Sequence, residues 1–179
     1  MDKKLAEKIV ELGAYKAGFI KVSEIPFDRE LRKSCEMNYC GNYNKNWTCP
    51  PMLGEVDDLI AQAKRYKTAL IYQTLSSIED SFDYEGMVAA LKKHIQITNR
   101  ITDYIRKNIC TTFLQLSAGG CPVCEICAAK ENQPCRYPAK ALASLEAYGI
   151  YVAKLAELSG MNYINGQDTV TYFGAYLLK

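Results

Sequence analysis

The chain has 179 residues, of which 49% are hydrophobic and 23% charged, with a net charge of +2. This balance fits an ordinary globular protein, and one domain over 1–179 is the simplest reading. Charges of both signs are mixed without a basic stripe, which argues against a nucleic-acid partner, and no stretch is long and apolar enough to cross a bilayer.

Residues 1–18 mix charge with apolar positions and lack the continuous apolar core of a signal peptide, so a cytoplasmic location is expected. Leu5, Ile9 and Leu12 recur at helical spacing and predict a helix over 2–13, ending near Gly13. Gly18 to Val22 reads as a short strand. Residues 24–54 hold Pro26, Gly41, Pro50, Pro51 and Gly54 with three cysteines, and predict a long irregular segment, either functional or disordered. Val56, Leu59, Ile60 and Ala63 predict a helix over 55–65, followed by a strand over 68–75. The longest helix is predicted over 84–108, with Val88, Leu91, Ile95, Ile101 and Ile105 as its buried stripe. A strand over 112–117 leads through Ala118-Gly119-Gly120 into a second cysteine-rich stretch. Helices over 138–148 and 150–159, separated by Gly149, and a strand over 169–177 complete the pattern. The fold class is α/β, with mixed α+β still open. About four strands would be covered by helices and carry two cysteine-rich metal-binding loops. Strand order is not fixed by this pattern.

Eight cysteines could staple a small secreted domain, but in a reducing compartment the same count points to metal binding or redox chemistry. Seven of the eight fall into two groups, at 35–49 and 121–135. Cys121, Cys124, Cys127 and Cys135 stand at C-x2-C-x2-C-x7-C. Three thiolates at such regular intervals can wrap one small inorganic cluster, with the fourth returning to close the cage, and C-x2-C-x2-C opens the bacterial ferredoxin signature. The seven residues before Cys135 replace the ferredoxin C-x3-C-P ending, leaving slack enough for that thiolate to serve the same cluster. Zinc is the competing metal, although its structural sites more often use separated C-x2-C pairs. A set of buried, reduced cysteines without metal is the bland alternative.

Cys35, Cys40 and Cys49 supply a second group at C-x4-C-x8-C. Three thiolates leave one position of a cluster or zinc ion for another ligand. Cys110 could complete the count, or could simply be a small buried hydrophobe. Tyr39, Tyr43 and Trp47 interleave with these thiols and suit packing that keeps water away from a metal.

The single histidine, His94, lies inside the longest predicted helix, where a packed or solvated side chain fits better than a catalytic base. Neither a dinucleotide-binding nor a Walker glycine pattern is present. Asp57-Asp58 and Glu79-Asp80 read as helix-start and loop charges. Arg136 could offset the negative charge of a thiolate-bound cluster or grip an anion, or be an ordinary surface arginine.

With both groups located, the chain resembles a family usually described only as predicted metal-binding proteins, found largely in anaerobic bacteria and archaea. The resemblance is carried by Cys35, Cys40, Tyr43, Trp47, Cys49-Pro50-Pro51, the cysteines 121, 124, 127 and 135, Arg136, Pro138, the stretch from Ser144 to Ala147, and Gly149-Ile150. It implies metal or iron–sulfur binding and brings no settled reaction with it. The first cysteine pair is one residue wider than the family spacing. Gly41 and Asn44 stand where proline and glycine are usual, though asparagine tolerates the left-handed backbone a turn there would need.

The leading expectation is an iron–sulfur protein with a [4Fe–4S] cluster on Cys121, Cys124, Cys127 and Cys135. A second metal centre on Cys35, Cys40 and Cys49 accompanies it. The role expected is one-electron transfer to or from a redox protein partner. The alternatives are an enzyme using an open iron at the three-cysteine site, and an interaction module stabilised by zinc.

Overall fold

Alternation along two long strands sets the architecture described by a computed structural model, which covers residues 2–179. In β2 (Thr68–Ser77), Ala69 and Ile71 face one core while Leu70 and Tyr72 face the other. Likewise β5 (Thr169–Leu178) sends Phe173, Ala175 and Leu177 to the first core and Tyr176 and Leu178 to the second. Successive strand residues point to opposite faces, so a strand apolar at every position must be covered on both sides. Helices supply that cover.

The sheet has five strands in the order β1-β2-β5-β3-β4. The outer strand β1 (Lys16–Lys21) runs antiparallel to β2, β2 to β5, and β5 to β3 (Phe113–Ser117). Only β4 (Ala143–Ser144) is parallel to its neighbour, pairing Leu116 with Ala143 and Ser117 with Ser144. On one face lie α1 (Asp2–Glu11) and α4 (Tyr84–Asn108), contributing Leu5, Ile9, Ile97, Ile101 and Ile105. On the other lie α3 (Val56–Ala63) and α5 (Val152–Leu158), with Leu59, Ala63, Val152 and Leu155. Among the described residues no helix is long and apolar enough to cross a membrane.

The longest helix forms over its predicted residues, although Val88, Leu91 and Ile95 are only half-buried and Ala90, His94, Ile97 and Thr98 take the inner positions beside Ile101 and Ile105. Asp83 caps it by accepting from the Gly86 amide at 2.7 Å, and Arg106 and Lys107 sit at its C-terminal end, where the helix dipole favours cations. Its buried positions recur every three or four residues from Ala90 to Ile105.

Three further expectations need correction. The sheet gains a fifth strand, the two-residue β4. The helix predicted over 138–148 does not form; single 3-10 turns at Pro138–Lys140 and Glu146–Tyr148 flank β4 instead. Leu142, Ala143, Leu145, Ala147 and Tyr148 are all buried, a density that no single helical stripe explains, and pairing with β3 decides the outcome. The segment 24–54 is irregular for most of its length but contains α2 (Leu31–Glu36), which carries Cys35.

A polar network lies beneath α4. His94 is fully buried, with Nδ1 2.9 Å from Thr74 Oγ1 and Nε2 2.9 Å from Ser117 Oγ. Its ring stacks on Tyr72, with Tyr172 tilted against it. The Tyr72 hydroxyl meets Thr98 Oγ1 at 2.6 Å, and Tyr176 meets Thr102 Oγ1 at 2.7 Å. The side-chain polar groups of His94, Thr74, Ser117, Tyr72, Thr98, Tyr176 and Thr102 therefore all have partners, as a buried network requires. Tyr72 has room for its ring because its sheet partner is Gly174, where an added Cβ would collide with that ring. A Gly174→Ala variant should lose about 2 kcal/mol or more of stability, read from denaturant melts.

Burial lowers the His94 pKa from 6.5 to about 4, so the folded protein keeps the ring neutral. None of the groups that face it, Thr74, Ser117, Tyr72 and Tyr172, carries a charge near neutral pH. Below pH 6.5 the unfolded chain takes up a proton that the folded chain refuses until near pH 4. This group's contribution is thus complete above that window, and about 3 kcal/mol should be lost as the pH falls through it. Chemical denaturation at several pH values should show this slope in the native protein and a flatter one in His94→Gln.

Candidate metal centre

The second cysteine loop leaves the sheet at Ser117 and returns at Ala143, two positions that β3 and β4 hold side by side. The Leu145 amide donates to the Ser117 carbonyl at 3.0 Å, closing the neck. Between these ends the chain has little regular structure beyond 3-10 turns at Ala128–Glu131 and Pro138–Lys140. Asn132, in the left-handed region with φ of 52°, ends the first of these turns. Arg136 braces the loop, donating to the Ile126 carbonyl at 2.9 Å and to Glu131 at 3.2 Å.

Cys121, Cys124, Cys127 and Cys135 all line one cavity of this loop. The cavity is small, about 20 Å³, the space of roughly one water molecule. Trp47, Asn46 and Thr48 reach over from the first cysteine segment to complete the wall. No histidine, aspartate or glutamate lines it, so its metal-binding chemistry is that of thiols alone. Among the described residues, no three His, Cys, Asp or Glu side chains stand close enough together to hold one metal ion.

The first cysteine segment is folded by its asparagines. Asn38 and Asn44 both adopt the left-handed backbone, at φ of 54° and 55°, so the turn at 44 forms without the family's glycine. Asn38 Oδ1 accepts from the Tyr43 amide at 3.0 Å. Asn46 is buried, and its Oδ1 accepts from both the amide and the hydroxyl of Thr48 at 3.1 Å. These bonds set the turn that presents Cys49, whose amide donates to the Asn46 carbonyl at 2.9 Å. Cys35 rides on α2, which Arg32 ties to the carbonyls of Gly54 at 3.1 Å and Ala147 at 3.5 Å.

Burial pushes the Cys49 thiol up to about 11, helped by the neighbouring sulfurs of Cys40 and Cys35 and, more weakly, Cys121. Burial also raises Cys35; Arg32 opposes this, while Cys40 and Glu146 reinforce it. The thiols of the first segment thus feel one another, and Cys49 feels the second loop as well. Burial thus keeps Cys35 and Cys49 protonated, and a bound metal would reverse that balance.

The two segments pack as one unit. Trp47 Nε1 donates to the Gln133 carbonyl at 2.9 Å. Gly120 lies so close to the Asn42 amide group that an added Cβ would come within 3.1 Å of it. A β-bridge joins Phe27 to Ile150, and the Tyr151 amide donates to the Pro26 carbonyl at 3.0 Å. Cys110 lies apart, packed against the core beneath α1 and α4. The sequence offered no sign that Asn46, Thr48 and Arg32 would organise the first segment. Polar residues in an irregular stretch carry no periodicity.

Two thiol-bearing loops joined at one edge of a mixed sheet make a class of site suited to a thiophilic metal. The chain belongs to the family described as predicted metal-binding protein (DUF2284), whose pattern matches residues 18–178. No curated protein matches the chain, and no solved structure does.

Replacing Cys110 by alanine should leave metal content unchanged while costing about 1 kcal/mol of stability, because it removes only a packed side chain. Metal analysis beside a thermal melt would check both halves.

Proposed function

We propose that this protein binds a [4Fe–4S] cluster through Cys121, Cys124, Cys127 and Cys135 and exchanges single electrons with a partner protein. The observation that carries the reading is the common cavity lined by these four cysteines, with no other metal-ligating side chain around it. Such a donor set suits iron–sulfur chemistry. Structural zinc sites more often draw on separated C-x2-C pairs than on the continuous C-x2-C-x2-C run found here. Cys35, Cys40 and Cys49 would hold a second metal centre beside the first.

When bound, a cluster supplies a site that takes up or gives up one electron at a time. The chain's own residues prepare for that in three ways. Trp47 and Ala128 line the cavity and limit water, which tunes a potential. Arg136, braced on Glu131 and lining the same cavity, places positive charge beside thiolates. Val123 and Tyr137 line the cavity yet remain exposed, so a partner could approach within one side chain of the thiols.

Anaerobic purification should yield a brown protein with acid-labile sulfide matching its iron. The double variant Cys121→Ser/Cys127→Ser should lose the cavity's iron and sulfide and keep its fold by circular dichroism. A colourless native protein carrying stoichiometric zinc would overturn the reading.

A further inference from the structure

Beside the thiol cavity lies a separate groove of about 650 Å³. It exists because β4 pairs with β3 only at Leu116 and Ser117. Ahead of that pairing, residues 139–142 line one side of the gap and residues 113–115 the other, with α4 forming a further wall. Its volume falls within the range of small-molecule sites, about 300–1,000 Å³. Val123 and Ala141 line both this groove and the thiol cavity.

The groove is amphipathic. Phe113, Leu114, Leu142 and Val123 provide apolar surface, and Gln115 and Asn99 provide amides. Two cations reach it. The Arg106 guanidinium sits 5.6 Å from the Phe113 ring centroid, and the Lys140 ammonium 6.0 Å from that of Tyr137. Among the described residues neither makes an ion pair. Among the described residues Asp103 is the one carboxylate on the wall, so the lining keeps a net positive charge. A guanidinium steadied on an aromatic face presents a planar fork matched to a carboxylate or phosphate. Apolar walls below it would take the body of the same molecule.

The geometry points to a binding site for a small organic anion in this groove. Arg106 and Lys140 hold its acidic head, and its apolar body lies along Phe113, Leu114 and Leu142. The site depends on no bound metal, so it stands or falls separately from the iron–sulfur reading.

Calorimetric titration of the full chain with benzoate, phenyl phosphate and benzyl alcohol tests it. At least one of the two anions should bind saturably in the millimolar range or below, and the tighter of them shows which acid the site prefers. Benzyl alcohol should bind at least about tenfold more weakly, since it lacks the charge that Arg106 pairs with. Arg106→Leu should weaken anion binding by about tenfold or more, and Lys140→Ala by several-fold. Lys140 is exposed on a short turn, so its variant tests the site even if Arg106→Leu folds poorly. Lys16→Ala, on the opposite edge of the sheet, should change nothing. Equal affinity for the alcohol, no saturable anion binding, or unchanged affinity in the Lys140→Ala protein would overturn the inference.

Discussion

The pairing of β3 with β4 at just two positions holds both ends of the second cysteine loop at one sheet edge. Everything distinctive about the molecule follows from that clamp. Ser117, the last residue of β3, is fixed three ways. It pairs with Ser144, its carbonyl accepts from Leu145, and its hydroxyl meets the buried His94 ring. The chain that leaves it must return to the same sheet edge at Ala143. Four cysteines spaced along such a short-necked loop therefore come to line one cavity. The same brevity of β4 opens the gap that becomes the cationic groove.

The first cysteine segment is drawn in by a similar device. Its start is bridged to Ile150, just beyond the second loop, and its middle is pinned by Trp47 on Gln133. Neither segment has a substantial apolar core of its own. Short bonds from asparagine side chains and carbonyl-directed arginines take the place of periodic structure, as loops this long require if they are ordered. Metal coordination adds to such order because ligands gathered by the fold bind more favourably than ligands that must be collected.

The legible parts of the sequence were those with strong periodicity or strong composition. The stripe from Val88 to Ile105 predicted α4, and the apolar runs at 68–75 and 169–177 predicted β2 and β5. The cysteines at 121, 124, 127 and 135 line one cavity, and His94 proved to be packed rather than solvated. What escaped was decided by tertiary pairing. Residues 138–148 contain good helix formers, but burial on nearly every side and the edge of β3 impose turns and a bridge instead. The groove was invisible for the same reason, since Arg106 and Lys140 lie far apart in sequence and come to line one groove only through the fold.

The central claim is that the thiols at 121, 124, 127 and 135 encircle an inorganic cluster rather than close on a single ion. X-ray absorption at the iron and zinc edges of anaerobically prepared protein addresses it most directly. The account predicts iron in an all-sulfur shell with a second, short iron–iron shell, which Cys121→Ser/Cys127→Ser diminishes. Zinc with one sulfur shell, or iron bound through nitrogen and oxygen, would contradict it.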